Sequence, residues 1–116
     1  MFLHKNICVV GTGVSGVAAT RLLLIKGANV IWFDSVKKDK STLLETLKDV
    51  DTSRVSFYFE KFPTDLLPNI HLFVMSPGVS LEQTYLEESK QFNIPIWGEV
   101  ELAYRCSKGK VIAITG

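Results

Sequence analysis

The sequence has no long hydrophobic run and no excess of charge of either sign. No apolar run approaches the ~20 residues that a helix needs to cross a bilayer, so we expect no membrane partner. The 13 Lys and Arg residues nearly balance the 12 Asp and Glu residues, and a net charge of +1 gives no reason to expect a nucleic-acid partner. Apolar sequence begins directly after residue 6, which leaves no room for a signal peptide, and we expect a cytoplasmic protein.

Cysteine and histidine are scarce, with two residues of each type. Cys8 lies within an apolar run, where a thiol behaves as a small hydrophobic group rather than as a disulfide partner or a metal ligand. His4 and His71 have no partner at ligand spacing. We therefore expect no metal site in this chain.

The chain is rich in apolar residues, which make up 47% of 116 positions, enough for one domain with one core. Short apolar runs predict strands at residues 7–10, 29–34, 55–59, 70–75 and 95–97. Helical periodicity predicts helices at residues 14–26, 41–50, 81–92 and 98–106, with a short turn at 64–67. This alternation predicts an α/β, Rossmann-like fold, in which a mostly parallel sheet carries helices on both faces.

Three details of the predicted helices follow from their sequences. The first helix is expected to bury one stripe of apolar side chains, formed by Val14, Val17, Ala18, Leu22 and Ile25. Ser41 is the expected N-cap of the second helix, with Glu45 near the position of a capping box. Gly109 is expected to end the last helix.

A glycine-rich turn joins the first strand to the first helix. Gly11, Gly13 and Gly16 have the G-x-G-x-x-G spacing, which gives a tight turn, close backbone approach of a ligand and close packing of helix on strand. The helix then directs free N–H groups and its positive dipole end at the turn, which favours a phosphate or diphosphate. The alternative is that the glycines make a tight turn without a ligand.

Two further turns are expected at the same edge of the sheet. The second strand ends at Asp34, about 20 residues past the glycines, where the dinucleotide-binding fingerprint has its acid. The fourth strand runs into Ser76-Pro77-Gly78, a turn at the carboxyl end of the sheet, where open α/β folds bind ligands.

The last six residues, 111–116, read as a further buried strand that ends in Thr-Gly. A strand that finishes in Gly is also how a phosphate-binding P-loop begins. We therefore expect residues 1–110 to form one domain and residues 111–116 to be the first strand of a second, truncated domain. The alternative is an ordinary strand end.

Five segments in this order resemble the N-terminal domain of the Mur ligases. They are Val-Val-Gly-Thr-Gly-Val-Ser-Gly (9–16), Asp-Ser (34–35), Ser-Pro-Gly-Val (76–79), Ile-Pro-Ile-Trp-Gly-Glu-Val-Glu-Leu (94–102) and Val-Ile-Ala-Ile-Thr-Gly (111–116). The resemblance covers the whole chain and is strongest to the members that add D-glutamate to UDP-N-acetylmuramoyl-L-alanine.

The resemblance implies an ATP-dependent amide ligase of peptidoglycan synthesis. Its first domain would hold the UDP part of UDP-N-acetylmuramoyl-L-alanine, and ATP, Mg²⁺ and D-glutamate would bind to further domains. Gly116 would be the first residue of the ATP-binding P-loop, and no catalytic residue would lie in this chain.

Carried over by position, the resemblance implies that the UDP part contacts three segments. The diphosphate and uridine would lie at Gly13, Val14, Ser15 and Gly16. The uracil would be held by Asp34 and Ser35, beside the turn of Ser76, Pro77 and Gly78. One departure is Val36, where the best-known members have an arginine that can cover the uracil, and Lys37 or Lys38 could take over that contact.

Two other functions compete with this interpretation. The same fingerprint would suit an NAD-dependent oxidoreductase, with Asp34 on the adenosine ribose. It would also suit a regulatory domain that senses a nucleotide without catalysis. The Ser-Pro-Gly and Ile-Thr-Gly segments favour the ligase.

Overall fold

The computed structural model describes residues 2–111 and has a five-stranded parallel sheet at its centre. The strand order is β3-β2-β1-β4-β5. The strands are β1 (Asn6–Val10), β2 (Asn29–Asp34), β3 (Val55–Phe59), β4 (Leu72–Met75) and β5 (Ile96–Gly98). Every pairing is parallel, and Cys8 of β1 stands opposite Ile31 of β2 and Phe73 of β4. The carboxyl ends of all five strands therefore lie at one edge.

Helices cover both faces of this sheet, which confirms the predicted α/β, Rossmann-like architecture. They are α1 (Val14–Ile25), α2 (Lys40–Thr46), α3 (Thr84–Ser89) and α4 (Glu99–Val111), with 3-10 helices at Thr64–Asn69 and Lys90–Phe92. Asn93 has a left-handed backbone (φ 56°), which ends the second 3-10 helix.

Two apolar clusters fill the two faces. Helices α1, α2 and α4 bury Leu23, Leu43 and Leu102 against Trp32 and the other side chains of that face. The 3-10 helix Thr64–Asn69 and α3 cover the opposite face, where Phe33, Phe62, Phe73 and Tyr85 form an aromatic group. Strand side chains alternate between these clusters, so the central strands are apolar on both faces, as parallel strands require.

The predicted buried stripe of α1 is wrong for three of its five residues, since only Val17 and Leu22 pack against the core. The structure buries Gly16, Ala19, Thr20 and Leu23, and it leaves Val14 90% exposed and Ile25 63% exposed. Because α1 is apolar on almost every side, its side chains do not decide which face turns inward. Close contact between Gly16 and the turn below it fixes the rotation of the helix.

The structure corrects two helix ends. Asp39 is the N-cap of α2, because its Oδ1 accepts the backbone N–H of Ser41 at 3.0 Å, so the predicted cap at Ser41 is wrong. Helix α4 continues through Gly109 to Val111, so the predicted break at Gly109 is wrong and Val111 is helical rather than in a strand. The remainder of the predicted strand, including Gly116, lies outside the described residues.

Candidate functional site

Three loops meet where the strand order reverses, between β1 and β4. They follow β1 (residues 11–13), β2 (residues 35–39) and β4 (residues 76–83). Right-handed crossovers lead to opposite faces of the sheet on either side of this point, which leaves a crevice at the carboxyl edge. The predicted substrate-binding residues lie in these loops, in the first turn of α1 or, for Asp34, at the end of β2.

Gly11 anchors the turn to β2. Its backbone has φ 109°, a conformation that favours glycine, and its N–H donates to the carbonyl O of Phe33 at 2.8 Å. The indole N–H of Trp32 donates to the carbonyl O of Gly11 at 2.7 Å, and Trp32 is fully buried. The backbone of the turn is therefore fixed from both sides before any ligand binds.

Gly13 and Gly16 differ in the space around them. A Cβ at Gly16 would overlap the backbone carbonyl of Gly11, so Gly16 allows α1 to pack on the turn. A Cβ at Gly13 would meet nothing within 4 Å, and Gly13 has an ordinary φ of −77°. The space above Gly13 is therefore open, as a bound group would require.

The amino terminus of α1 presents backbone donors to this open space. The first helical hydrogen bond runs from the N–H of Val17 to the carbonyl O of Gly13 at 2.9 Å. Within residues 2–111, no hydrogen bond uses the N–H groups of Val14, Ser15 or Gly16, and Gly13 has no side chain that could cap them. Three unused N–H donors and the positive end of this 12-residue helix therefore lie together beside Gly13.

Asp34 links the loops after β1 and β2. Its Oδ2 accepts the hydroxyl of Thr12 at 2.7 Å and the backbone N–H of Thr12 at 3.1 Å, and its Oδ1 accepts the N–H of Val36 at 2.8 Å. The sequence prediction included Asp34 but missed Thr12. The sequence could have indicated Thr12, since a residue two positions past β1 lies close to the last residue of the neighbouring parallel strand.

A cavity of about 320 Å³ lies beside Asp34. Ser35, one of the predicted site residues, is among the residues that line it. Sequence reasoning missed most of its other lining residues, which include Glu60, Lys61, Phe62, Gln83, Thr84 and Tyr85. They come from the segment that follows β3 and from the start of α3. These segments lie near the glycine turn because of the strand order, which the sequence motifs do not specify.

Two features of the cavity wall bear on its chemistry. Burial raises the pKa of Tyr85 to about 12, with smaller contributions from Cys8 and Asp34, so its hydroxyl is a hydrogen-bond donor at neutral pH. Tyr85 also stacks on Phe62 with ring centroids 4.3 Å apart. The cavity thus combines flat aromatic surface with the polar Asp34, Glu60 and Tyr85 side chains.

The turn after β4 closes the other side of the crevice. The N–H of Ser76 donates to the carbonyl O of Val10 at 3.0 Å, and the N–H of Val79 donates to the carbonyl O of Ser76 at 3.1 Å. The buried Ser76 Oγ packs against the glycine turn and has no hydrogen-bond partner in the described chain. Pro77 and Gly78 are exposed, as are Val36, Lys37 and Lys38, and none of these five lines the cavity.

No helix within residues 2–111 is long and apolar enough to cross a membrane. The same residues contain no group of three or more His, Cys, Asp or Glu side chains that could hold a metal ion.

The fold and the glycine turn define a Rossmann-like α/β domain. A similar fold occurs in shikimate dehydrogenase from Aquifex aeolicus, with a TM-score of 0.54 and 16% sequence identity over 87% of this chain and 44% of that one. At this identity the likeness concerns the fold alone. The model of the family "Mur ligase MurD-like, N-terminal domain" matches residues 5–98, and the chain belongs to this family.

Curated relatives agree with this assignment. Proteins named UDP-N-acetylmuramoylalanine--D-glutamate ligase are 44% identical in Caldanaerobacter subterraneus subsp. tengcongensis and 42% identical in Lachnospira eligens, each over 97% of this chain. A protein of the same name in Thermoanaerobacter sp. is 38% identical, again over 97% of the chain. The chain spans about a quarter of the length of these relatives.

Proposed function

We propose that this chain is the UDP-binding domain of an ATP-dependent ligase that adds D-glutamate to UDP-N-acetylmuramoyl-L-alanine. One observation carries the proposal, namely three unused N–H groups at the start of α1 that face open space above Gly13. The names of the relatives supply the particular substrate.

The diphosphate would bind at the amino terminus of α1. The N–H groups of Val14, Ser15 and Gly16 would donate to its oxygens, and the helix dipole would favour its negative charge. Gly13 would leave room for the phosphate, while Gly11 and Trp32 hold the turn in place. Because the turn is already fixed, binding would not require ordering of the backbone.

The uracil would lie between the loops after β2 and β4. Asp34 keeps one free acceptor position on Oδ1, which could receive the imide N–H of the base. Ser35 stands beside it, and the turn of Ser76, Pro77 and Gly78 would approach from the other side. The aromatic side chains of the cavity wall suit a flat ring.

The chemistry of amide formation would take place elsewhere in the longer protein. In that reaction ATP phosphorylates the substrate carboxylate, and the amine of D-glutamate attacks the acyl phosphate and releases phosphate. The described residues do not fit a magnesium site, because they contain no cluster of carboxylates. We assign no catalytic residue to this chain and expect no ligase activity from it alone, because ATP would bind to another domain of the longer protein.

A two-dimensional NMR titration of the chain tests the proposal. We expect UDP-N-acetylmuramoyl-L-alanine to shift the amide signals of residues 11–16, 34–35 and 76–78, and NAD at the same concentration to leave them unchanged. Shifts with NAD alone would favour the oxidoreductase, which has the same glycine turn and strand-end acid. Silence with both ligands at millimolar concentration would contradict both functions.

A further inference from the structure

The carboxylate of Asp34 is already largely occupied by its own chain. An ionised carboxylate has about four lone-pair positions, two on each oxygen. Thr12 fills both positions on Oδ2 with its hydroxyl (2.7 Å) and its backbone N–H (3.1 Å). The N–H of Val36 fills one position on Oδ1 at 2.8 Å. One acceptor position on Oδ1 is therefore left for a ligand.

Because only one acceptor position of Asp34 is free, the carboxylate can accept some ligand groups and not others. A ribose diol presents two adjacent hydroxyls, and a carboxylate that accepts both needs a free position on each oxygen. An imide presents a single N–H, for which one position is enough. Asp34 is among the residues that line the 320 Å³ cavity, so a ligand bound there would lie beside Asp34.

We propose that Thr12 is a positioning residue that determines specificity, because its two hydrogen bonds leave Asp34 able to accept an imide N–H but not a ribose diol. The proposal rests on the proposed function and deepens it. The G-x-G-x-x-G spacing and the strand-end acid are shared with NAD-binding domains, so neither feature alone excludes a dinucleotide. The hydroxyl of Thr12, which lies between the first two glycines, donates to Asp34, and this hydrogen bond is what distinguishes the uracil from the ribose diol.

Thr12→Val tests this role, because it keeps the shape of the side chain and removes the hydroxyl. We would measure the affinities of UDP, UDP methylated at the imide nitrogen (N3-methyl-UDP) and ADP by calorimetry. We expect the wild-type chain to prefer UDP to both other ligands by about tenfold, the effect of one well-placed hydrogen bond to a charged group. In Thr12→Val the preference for UDP over ADP should fall at least about fivefold.

The conservative variant Thr12→Ser separates positioning from general stability. It keeps the hydroxyl but loses the methyl group, so it changes the packing at least as much as Thr12→Val does. Because the hydroxyl is present, we expect the wild-type preference for UDP to return. Thr12 is only half-buried, and thermal unfolding would verify that both variants fold. The N3-methyl-UDP measurement on the wild-type chain needs no variant and tests the free Oδ1 position directly.

The outcomes distinguish this inference from the function on which it rests. UDP binding with an unchanged preference over ADP in folded Thr12→Val would overturn the role of Thr12 alone. Equal wild-type affinity for UDP and N3-methyl-UDP would also overturn it, because the single acceptor would then go unused. A wild-type chain that binds none of the three ligands would contradict the proposed function itself.

Discussion

At the scale of single residues, the three glycines of the turn do three different things. Gly11 adopts a positive φ, Gly16 lets the helix touch the turn, and Gly13 borders open space. The sequence predicts all three positions from their spacing, yet spacing alone cannot say which glycine the fold needs and which one a ligand needs. The distances around each glycine show that the fold needs Gly11 and Gly16 and that the space beside Gly13 is open.

Substitution by alanine should separate Gly13 from Gly16. We expect Gly16→Ala to lower the free energy of unfolding by about 1–3 kcal/mol, because the new Cβ would overlap the backbone of Gly11. Gly13→Ala should change stability by less than about 1 kcal/mol, since Gly13 has an ordinary φ and open space around it, and the restriction of the unfolded chain by alanine offsets the preference of an N-cap for glycine. Urea unfolding of both variants measures the difference. Equal losses of stability would contradict the distinct roles.

Thr12 is a residue of the candidate site that was not predicted but could have been predicted from the sequence. Asp34 was predicted because its distance from the glycines follows a known fingerprint. Thr12 was not predicted because the fingerprint specifies only the glycines on either side of it. Since parallel pairing aligns Val10 with Phe33, the positions that follow them could have been predicted to meet.

At the scale of secondary structure, strands were predicted more accurately than helices. The bounds of β2 and β3 agree with the prediction because each is a compact run of β-forming residues between polar segments. Helix α1 was found with nearly the right bounds but with the wrong face inward. Its leucines and valines surround the helix, so burial was decided by contact with the turn, which periodicity does not describe.

Helix α2 provides a test of capping. Asp39 accepts the N–H of Ser41 and the hydroxyl of Thr42, whereas no side-chain hydrogen bond by Ser41 is present in the described structure. We expect Asp39→Ala to lower the free energy of unfolding by about 1 kcal/mol, the usual cost of losing an N-cap. Ser41→Ala should change it by less than about 0.5 kcal/mol. Thermal unfolding compares the two, and a larger loss for Ser41→Ala would restore Ser41 as the cap.

At the scale of the whole molecule, the topology assembles a site from segments that are distant in sequence. The alternation of strands and helices was enough to predict a parallel sheet, and with it the edge at which open α/β folds bind ligands. It was not enough to predict the cavity wall, because Glu60 follows β3 and Tyr85 lies at the start of α3, and neither segment has a recognisable motif. Their approach to Asp34 depends on the strand order and on the path of the β3–β4 connection.

The central claim is that the UDP part of the substrate binds over Gly13. Its most direct test is calorimetric titration of UDP-N-acetylmuramoyl-L-alanine into wild-type chain and Gly13→Val. A control is Gly98→Val, which adds the same side chain in open space at the end of β5, two strands away from β1. We expect Gly13→Val to fold normally and to lose affinity at least about tenfold, because the valine would occupy the place of the diphosphate. Wild-type affinity in a folded Gly13→Val variant would contradict the account.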